Sequence, residues 1–313
     1  MRGPIRQNTS NGLGGRFSII LIGLLGLAVY WFSNQQTVPF TGRSQLITVS
    51  LEDEVRLGKQ SYDEILQKER GNVLCARGSP CPAQVREVVE KVRSVGNRLE
   101  QAAIEFDQEL LQQGVNFTPV GERFDWTFNV INSSQPNAFC LPGGYVAVYT
   151  RILDVAGDND GRFEADEDLQ DLDKLAVIMG HELAHAMARH GAERLSQQKV
   201  LQLGSATIGV GLGDMGGAER QAVMQAFGMA AQGGFLAFSR KHETEADQIG
   251  LDLLVRACFD PREAPELWER MGALSQGQKP PEWMSTHPAS DTRAENFRRW
   301  MPEAVAEYER RCR

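Results

Sequence analysis

Cysteine and histidine are scarce, with five of each in 313 residues, and no two cysteines stand close enough for a Cys-x-x-Cys pair. That spacing excludes the thiolate-rich structural zinc sites built on such pairs. Positive charge is also short: 33 Lys and Arg face 41 Asp and Glu, a formal net charge of −8. A nucleic-acid surface needs a basic stripe, and the sequence has no surplus from which to make one. No internal repeat occurs, so a solenoid is excluded. What is left, 42% hydrophobic and 24% charged, is ordinary for a chain that buries a real core.

A long hydrophobic run occurs at the N-terminus. Arg2, Arg6 and Arg16 precede the uncharged stretch from Phe17 to Phe32, and Ser33-Asn34-Gln35-Gln36 then turns polar. The run is barely long enough to span a bilayer and also lies within signal-peptide range. No small-x-small cleavage site follows, and Tyr30, Trp31 and Phe32 suit a membrane interface. The reading is a cytoplasmic N-terminus (1–16), a signal-anchor transmembrane helix (17–32), a linker with a few extended residues (33–50) and a folded domain (51–313) across the membrane. A cleaved signal peptide is the alternative.

Within 51–313 the periodicity predicts helices over 51–68 and 84–112, the second carrying Val88, Val92, Val95, Leu99, Ala102, Phe106 and Leu110 at spacings of three and four. Phe124–Val130 and Tyr145–Tyr149 read as strands, with Pro142-Gly143-Gly144 a turn signal between them. The fold class is therefore α+β: mainly helical, with a small antiparallel sheet and a hairpin. The acidic stretch 158–173 fails the EF-hand spacing, because placing Gly161 sixth would make Ala156 the first ligand; it reads as a solvated loop leading into a helix, with calcium binding the alternative. The glycine-rich stretch 204–234 suits either a packed helix pair or a flap over a cleft. Cys75 and Cys81 can close a small loop, worth roughly 2 kcal/mol in chain entropy. Cys258 can pair with Cys312, which leaves Cys140 free.

The chemistry concentrates at His181-Glu182-Leu183-Ala184-His185. Two histidines at i and i+4 project from one helical face, about 6 Å apart at their roots, and reach one ion. The glutamate beside the first is placed to take a proton from the attacking water. Neighbours such as Val177, Ile178 and Met179 make this a buried helix, where bare imidazoles and a carboxylate are costly without a partner. Zinc needs a third protein ligand. Position 191 is glycine, which rules out a third histidine there, and His190 projects from a different face. Downstream, Glu243 and Asp247 fall on the apolar face formed by Ala246, Ile249, Gly250 and Leu253, while Glu245 points roughly the other way. Glu243 as ligand and Asp247 as the acceptor orienting a ligand histidine would explain two inward carboxylates. Buried salt bridges are the plainer alternative.

Together with Ser239-Arg240-Lys241-His242-Glu243-Thr244-Glu245-Ala246-Asp247, this motif resembles the M48 peptidases, gluzincins that include membrane-linked quality-control proteases of bacteria and mitochondria. Gly42-Arg43-Ser44-Gln45-Leu46 with Leu57-Gly58, Asn137-Ala138-Phe139-Cys140-Leu141-Pro142-Gly143-Gly144, and the stretch Trp283–Arg293 carry the likeness further. The acidic stretch 158–171 looks like an insertion, and Cys140 replaces a residue that is usually small and unreactive. The resemblance implies one zinc ion on a zincin-like domain and a substrate strand added at Asn137, Ala138 and Phe139. It also implies His287 near the zinc as a removable fourth ligand, and Arg293 as a stabiliser of the oxyanion; a capping histidine and a surface arginine are the plain alternatives. The implied substrates are unfolded polypeptides of a bacterial envelope, reached from the periplasmic side of the inner membrane, with no nucleic-acid partner. A chaperone-like protein that keeps the fold but rarely cleaves, and a structural zinc protein, are the rival readings.

Overall fold

The amphipathic stretches after Leu51 become two helices. The computed structural model describes residues 11–76, 78–157, 172–211, 217–274, 287 and 291–313, and not every side chain within its helices. Helix α2 (Leu51–Lys68) begins where Ser50 Oγ accepts the Asp53 N–H at 3.1 Å, with Glu52, Asp53 and Glu54 in its first turn. The side-chain cap and the acidic turn both suit a helix N-terminus. Helix α3 (Ala83–Gln112) follows Pro82 and buries Val88, Val92, Val95, Leu99, Ala103 and Phe106, the face its spacing predicts.

Two compact units are distinguished. One contains α1 (Asn11–Ser33), β1 (Gln35–Thr37), β2 (Ser44–Leu46) and Ala192–Arg240. There β1 and β2 pair antiparallel, Gln35 opposite Leu46, so the expected linker holds a short ladder. A Cβ on Gly23 would meet Thr207 Cγ2 at 2.2 Å, so this glycine lets α1 and α6 (His190–Gly211) meet. Large apolar side chains of α1 stand in the open, Leu21 and Ile22 at 69% and Phe32 at 75% exposure. Among the described residues no helix is long and apolar enough to cross a membrane.

The other unit comprises Val38–Arg43, Ser50–Gly191 and Lys241–Arg313. Its core gathers the inner face of α3, the sheet, and α5 (Leu172–Met187), which is buried on nearly every side. Around α5 pack α3, the strand Ala138–Leu141 and α8 (Glu263–Leu274). The last described helices are α7 (Gly217–Arg256) and α9 (Asp291–Cys312). Disulfides join Cys75 to Cys81 and Cys258 to Cys312, and Cys140 is free.

The sheet departs from expectation. Strands β3 (Thr127–Ile131), β4 (Ala138–Leu141) and β5 (Tyr145–Tyr149) lie in the order β3-β5-β4. The hairpin β4–β5 is antiparallel, but β3 pairs with β5 in parallel, Thr127 opposite Tyr145. The sheet is mixed because the chain passes to the far edge for β4 and returns up the middle. The central place falls to β5, whose Tyr-Val-Ala-Val run is buried without alternation, as suits a strand covered on both faces. Gly143 (φ 95°) and Gly144 (φ 86°) make the turn, in the left-handed region where a Cβ is strained.

The ends of the expected acidic loop are tied down. Gly157 O, after α4 (Thr150–Ala156), accepts from Arg270 Nη1 at 2.8 Å, and Asp173 Oδ1 accepts the Asp260 N–H at 3.0 Å. Residues 158–171 themselves lie outside the described residues.

The hairpin tip is gripped as well. A Cβ on Gly58 would meet Pro142 O at 1.9 Å, and one on Gly191 would meet Pro142 Cγ at 3.3 Å. Gly58→Ala is expected to destabilise the fold by about 1–3 kcal/mol through overpacking, read as a lower urea midpoint. Gly71→Ala, which would meet nothing within 4 Å, serves as the control and should leave the midpoint in place.

Candidate metal centre

Helix α5 presents His181 and His185 one turn apart, with Nε2 atoms 3.1 Å from each other. Glu243 comes from α7 because the two helices touch closely: a Cβ on Gly250 would meet His181 N at 3.1 Å, and one on Gly180 would meet Leu254 Cδ1 at 3.0 Å. Glu243 Oε2 then lies 3.3 Å from His181 Nε2, and Oε1 lies 3.5 Å from His185 Nε2. His287 Nδ1 completes the group, 3.2 Å from His181 Nε2 and 3.0 Å from Glu243 Oε2.

One ligand atom from each of these four side chains lies within 4.8 Å of all the others. The donor set fits a metal ion. Ligands on a four-coordinate ion at 2.0–2.2 Å stand about 3.4 Å apart along each tetrahedral edge, and the measured contacts cluster around that value. Protons serve such a knot of lone pairs poorly, since each satisfies only two donors. The local field also favours a cation. Burial would lower His181, yet the Asp247 and Glu243 carboxylates outweigh it and raise the ring to about 9. Burial would raise Glu243, but the His185, His181 and His287 rings hold it far below the carboxylate range. Burial pulls His185 well below its ordinary value, the Glu243 charge opposing it and the neighbouring rings His181, His190 and His287 adding to it.

Behind the donors sits a second layer of contacts. Asp247 Oδ1 lies 3.0 Å from His181 Nδ1. Arg293 donates to both Asp247 oxygens, Nε to Oδ2 at 2.7 Å and Nη2 to Oδ1 at 2.5 Å, and its Nη1 reaches Glu243 Oε2 at 3.3 Å. Its guanidinium stacks on Trp268 at 3.4 Å, and the Trp268 ring meets His181 edge-on at 5.5 Å. Arg293 is thus buried behind the ligands. Glu182, also buried, stands beside the cluster without belonging to it, Oε1 3.6 Å from His287 Nε2. Asn137 precedes β4, and Ala138 and Phe139 lie in it. Burial of the Cys140 thiol, then the nearby Glu182 charge, push that thiol well above its ordinary range.

Several site residues escaped the sequence reading. Arg189 ends α5 with φ 58°, a left-handed cap rare for a side chain of this size. It is held by Glu54 Oε2, which accepts from Nε at 2.8 Å and Nη2 at 2.7 Å. The reversal brings His190 back behind His185, with the two Nδ1 atoms 2.8 Å apart. Glu245 is buried and accepts from His190 Nε2 at 2.9 Å, Arg43 Nε at 2.8 Å and Thr41 Oγ1. Burial, opposed by Glu245, takes His190 down to about 4. The only local signal was the pairing of a histidine five residues past His185 with a second glutamate two past Glu243.

A helix carrying two histidine donors around a glutamate that stands outside the donor set, met by a carboxylate from a second helix, defines a metallopeptidase. The description "Peptidase family M48" matches residues 105–301. The chain belongs to that family and is a metalloendopeptidase. It is 33% identical over 301 residues to the mitochondrial metalloendopeptidase OMA1 of Schizosaccharomyces pombe, covering 94% of this chain and 75% of the relative. The protein of the same name from Saccharomyces cerevisiae is 31% identical over 306 residues, covering 94% and 76%. A beta-barrel assembly-enhancing protease of Yersinia pestis is 29% identical over 184 residues, covering 56% and 34%.

Stripping the metal with a chelator should lower the melting midpoint, and restoring it at a hundredfold over Kd should return about 2.7 kcal/mol. Asp247→Asn is expected to weaken metal binding by about 10–100-fold, measured by competition with a chromophoric chelator.

Proposed function

We propose that this chain is a zinc-dependent endopeptidase of unfolded or misfolded envelope proteins, held by an N-terminal membrane anchor with its catalytic part in the periplasm. The observation that carries the reading is the convergence of four donors beside a buried glutamate that is not one of them. His181, His185 and Glu243 would hold the ion, an N, N, O set that suits zinc with a position left open. Zinc, when bound, polarises a peptide carbonyl and acidifies water. Glu182 takes the proton of the attacking water and returns it to the leaving amine. Arg293 directs its donors to Asp247 and Glu243, so we assign it to holding those two carboxylates in place rather than to the oxyanion.

Substrate would lie along the outer edge of β4, since among the described residues only β5 pairs with that strand. Tyr149 N–H donates to Asn137 O at 2.9 Å, which makes that pair hydrogen-bonded in the ladder. By alternation, Ala138 and Cys140 turn their N–H and C=O groups outward. An extended chain would be gripped there by its backbone, a mode that suits unfolded polypeptides. The open apolar side chains of α1, in a run preceded by arginines and followed by few cations, support the anchor and the orientation.

His287 supports a latent form. Its ring stands among the ligands and 3.6 Å from Glu182, where water and substrate would have to enter. Displacing it would open the site.

The full chain in detergent micelles, given unfolded casein, tests both statements. Glu182→Gln should keep its zinc and lose about 10²–10⁴-fold in cleavage rate; equal cleavage by the two would sink the peptidase mechanism. His287→Ala should cleave several-fold faster, and a slower variant would mean that the ring assists catalysis instead of blocking it.

A further inference from the structure

We propose that His190, itself held by Glu245, is the positioning residue for His185, fixing the tautomer and ring plane with which His185 meets the metal. The inference rests on reading His185 as a metal ligand.

The argument is one of proton placement. His185 turns Nε2 toward His181 and Glu243, so a lone pair offered there leaves its proton on Nδ1. That Nδ1 stands 2.8 Å from His190 Nδ1. One proton fits between two nitrogens so close, so His190 accepts and carries its own proton on Nε2. Nε2 lies 2.9 Å from Glu245 Oε2, an acceptor. Every group in the chain then has one consistent role: His185 donates to His190, and His190 donates to Glu245. Moving the His190 proton to Nδ1 would drive a proton onto His185 Nε2 and remove the ligand.

The chain is rigid at its far end. Glu245 also accepts from Arg43 Nε at 2.8 Å and from Thr41 Oγ1. The His242 ring lies flat on His190, 4.2 Å between centroids and 15° between planes. His190 and Glu245 are both nearly inaccessible, at 4% and 5% exposure, so water does not compete for these bonds. The two ligand histidines are therefore backed differently. The outer nitrogen of His181 meets a carboxylate directly at Asp247, whereas that of His185 is linked to Glu245 through the His190 imidazole. Outer hydrogen bonds of this kind orient ligand rings and raise metal affinity.

Packing alone would ask only for a flat ring at position 190, which separates the two roles experimentally. In the full-length protein, His190→Phe keeps the ring against His242 but accepts no proton, while His190→Asn can place an oxygen near the Nδ1 position and accept one. Zinc affinity should fall about 10–100-fold in His190→Phe, with kcat reduced, KM within about twofold and the visible spectrum of the cobalt-substituted protein altered. His190→Asn should recover most of the affinity and the parental spectrum. A His190→Phe protein that binds zinc as tightly as the parent, with an unchanged cobalt spectrum, overturns the proposal. A parent that takes up no zinc overturns the metal reading as well, so the two failures are distinct. A variant-independent check is the histidine tautomer by long-range proton–nitrogen correlation in the zinc-loaded parent. A bare Nδ1 on His190 is expected, and a protonated one overturns the proposal.

Discussion

The site depends on how closely α5 and α7 approach. Gly250 lies over the backbone of His181, and Gly180 lies under Leu254; a side chain at position 250 would press on that backbone. Two ligands on one helix and a carboxylate on the next can share a point only at this separation. Glu243, Asp247 and Gly250 recur at spacings of four and three, so one stripe of α7 supplies a ligand, its support and the clearance between backbones. Everything else at the centre, from the Trp268 lid on Arg293 to the ring of His287, is arranged around that contact.

Three buried acids lie at or beside the site, and each meets an arginine from a distant part of the sequence. Asp247 meets Arg293 of α9, Glu245 meets Arg43 of the N-terminal segment, and Glu54 of α2 meets Arg189 at the end of α5. Burying such pairs yields little net stability, because desolvation offsets most of the attraction. Their effect is on arrangement. Breaking one leaves a charge in the core, so alternative packings of these segments are costly, and five stretches remote in sequence are held to one geometry around the site.

Much of this was legible in the sequence, and the parts that were not have physical reasons. Helices α2 and α3 follow from apolar residues at spacings of three and four, and the hairpin from Pro142-Gly143-Gly144. The inward face of Glu243 and Asp247 was readable because helical geometry fixes direction once the apolar stripe is known. Strand pairing was not, since sequence order does not say which strand is central; the unbroken apolar run of β5 was the available clue. Nor was the role of His190. It depends on a left-handed turn at Arg189, and nothing local marks an arginine for that conformation when its counter-charge, Glu54, lies 135 residues away. Glu245 looked outward for the same reason: its partners Thr41 and Arg43 precede it by some two hundred positions.

The two pins flanking 158–171 separate chain length from catalytic geometry. Arg270 holds Gly157 at one end, and the Asp260 backbone holds Asp173 at the other. The second pin sits eight residues before His181, at the start of the helix that carries the ligands. With both ends tied to neighbouring parts of one scaffold, residues can be gained or lost between them without shifting α5 along its axis. That interval is where a label could be grafted while the chemistry stays in register.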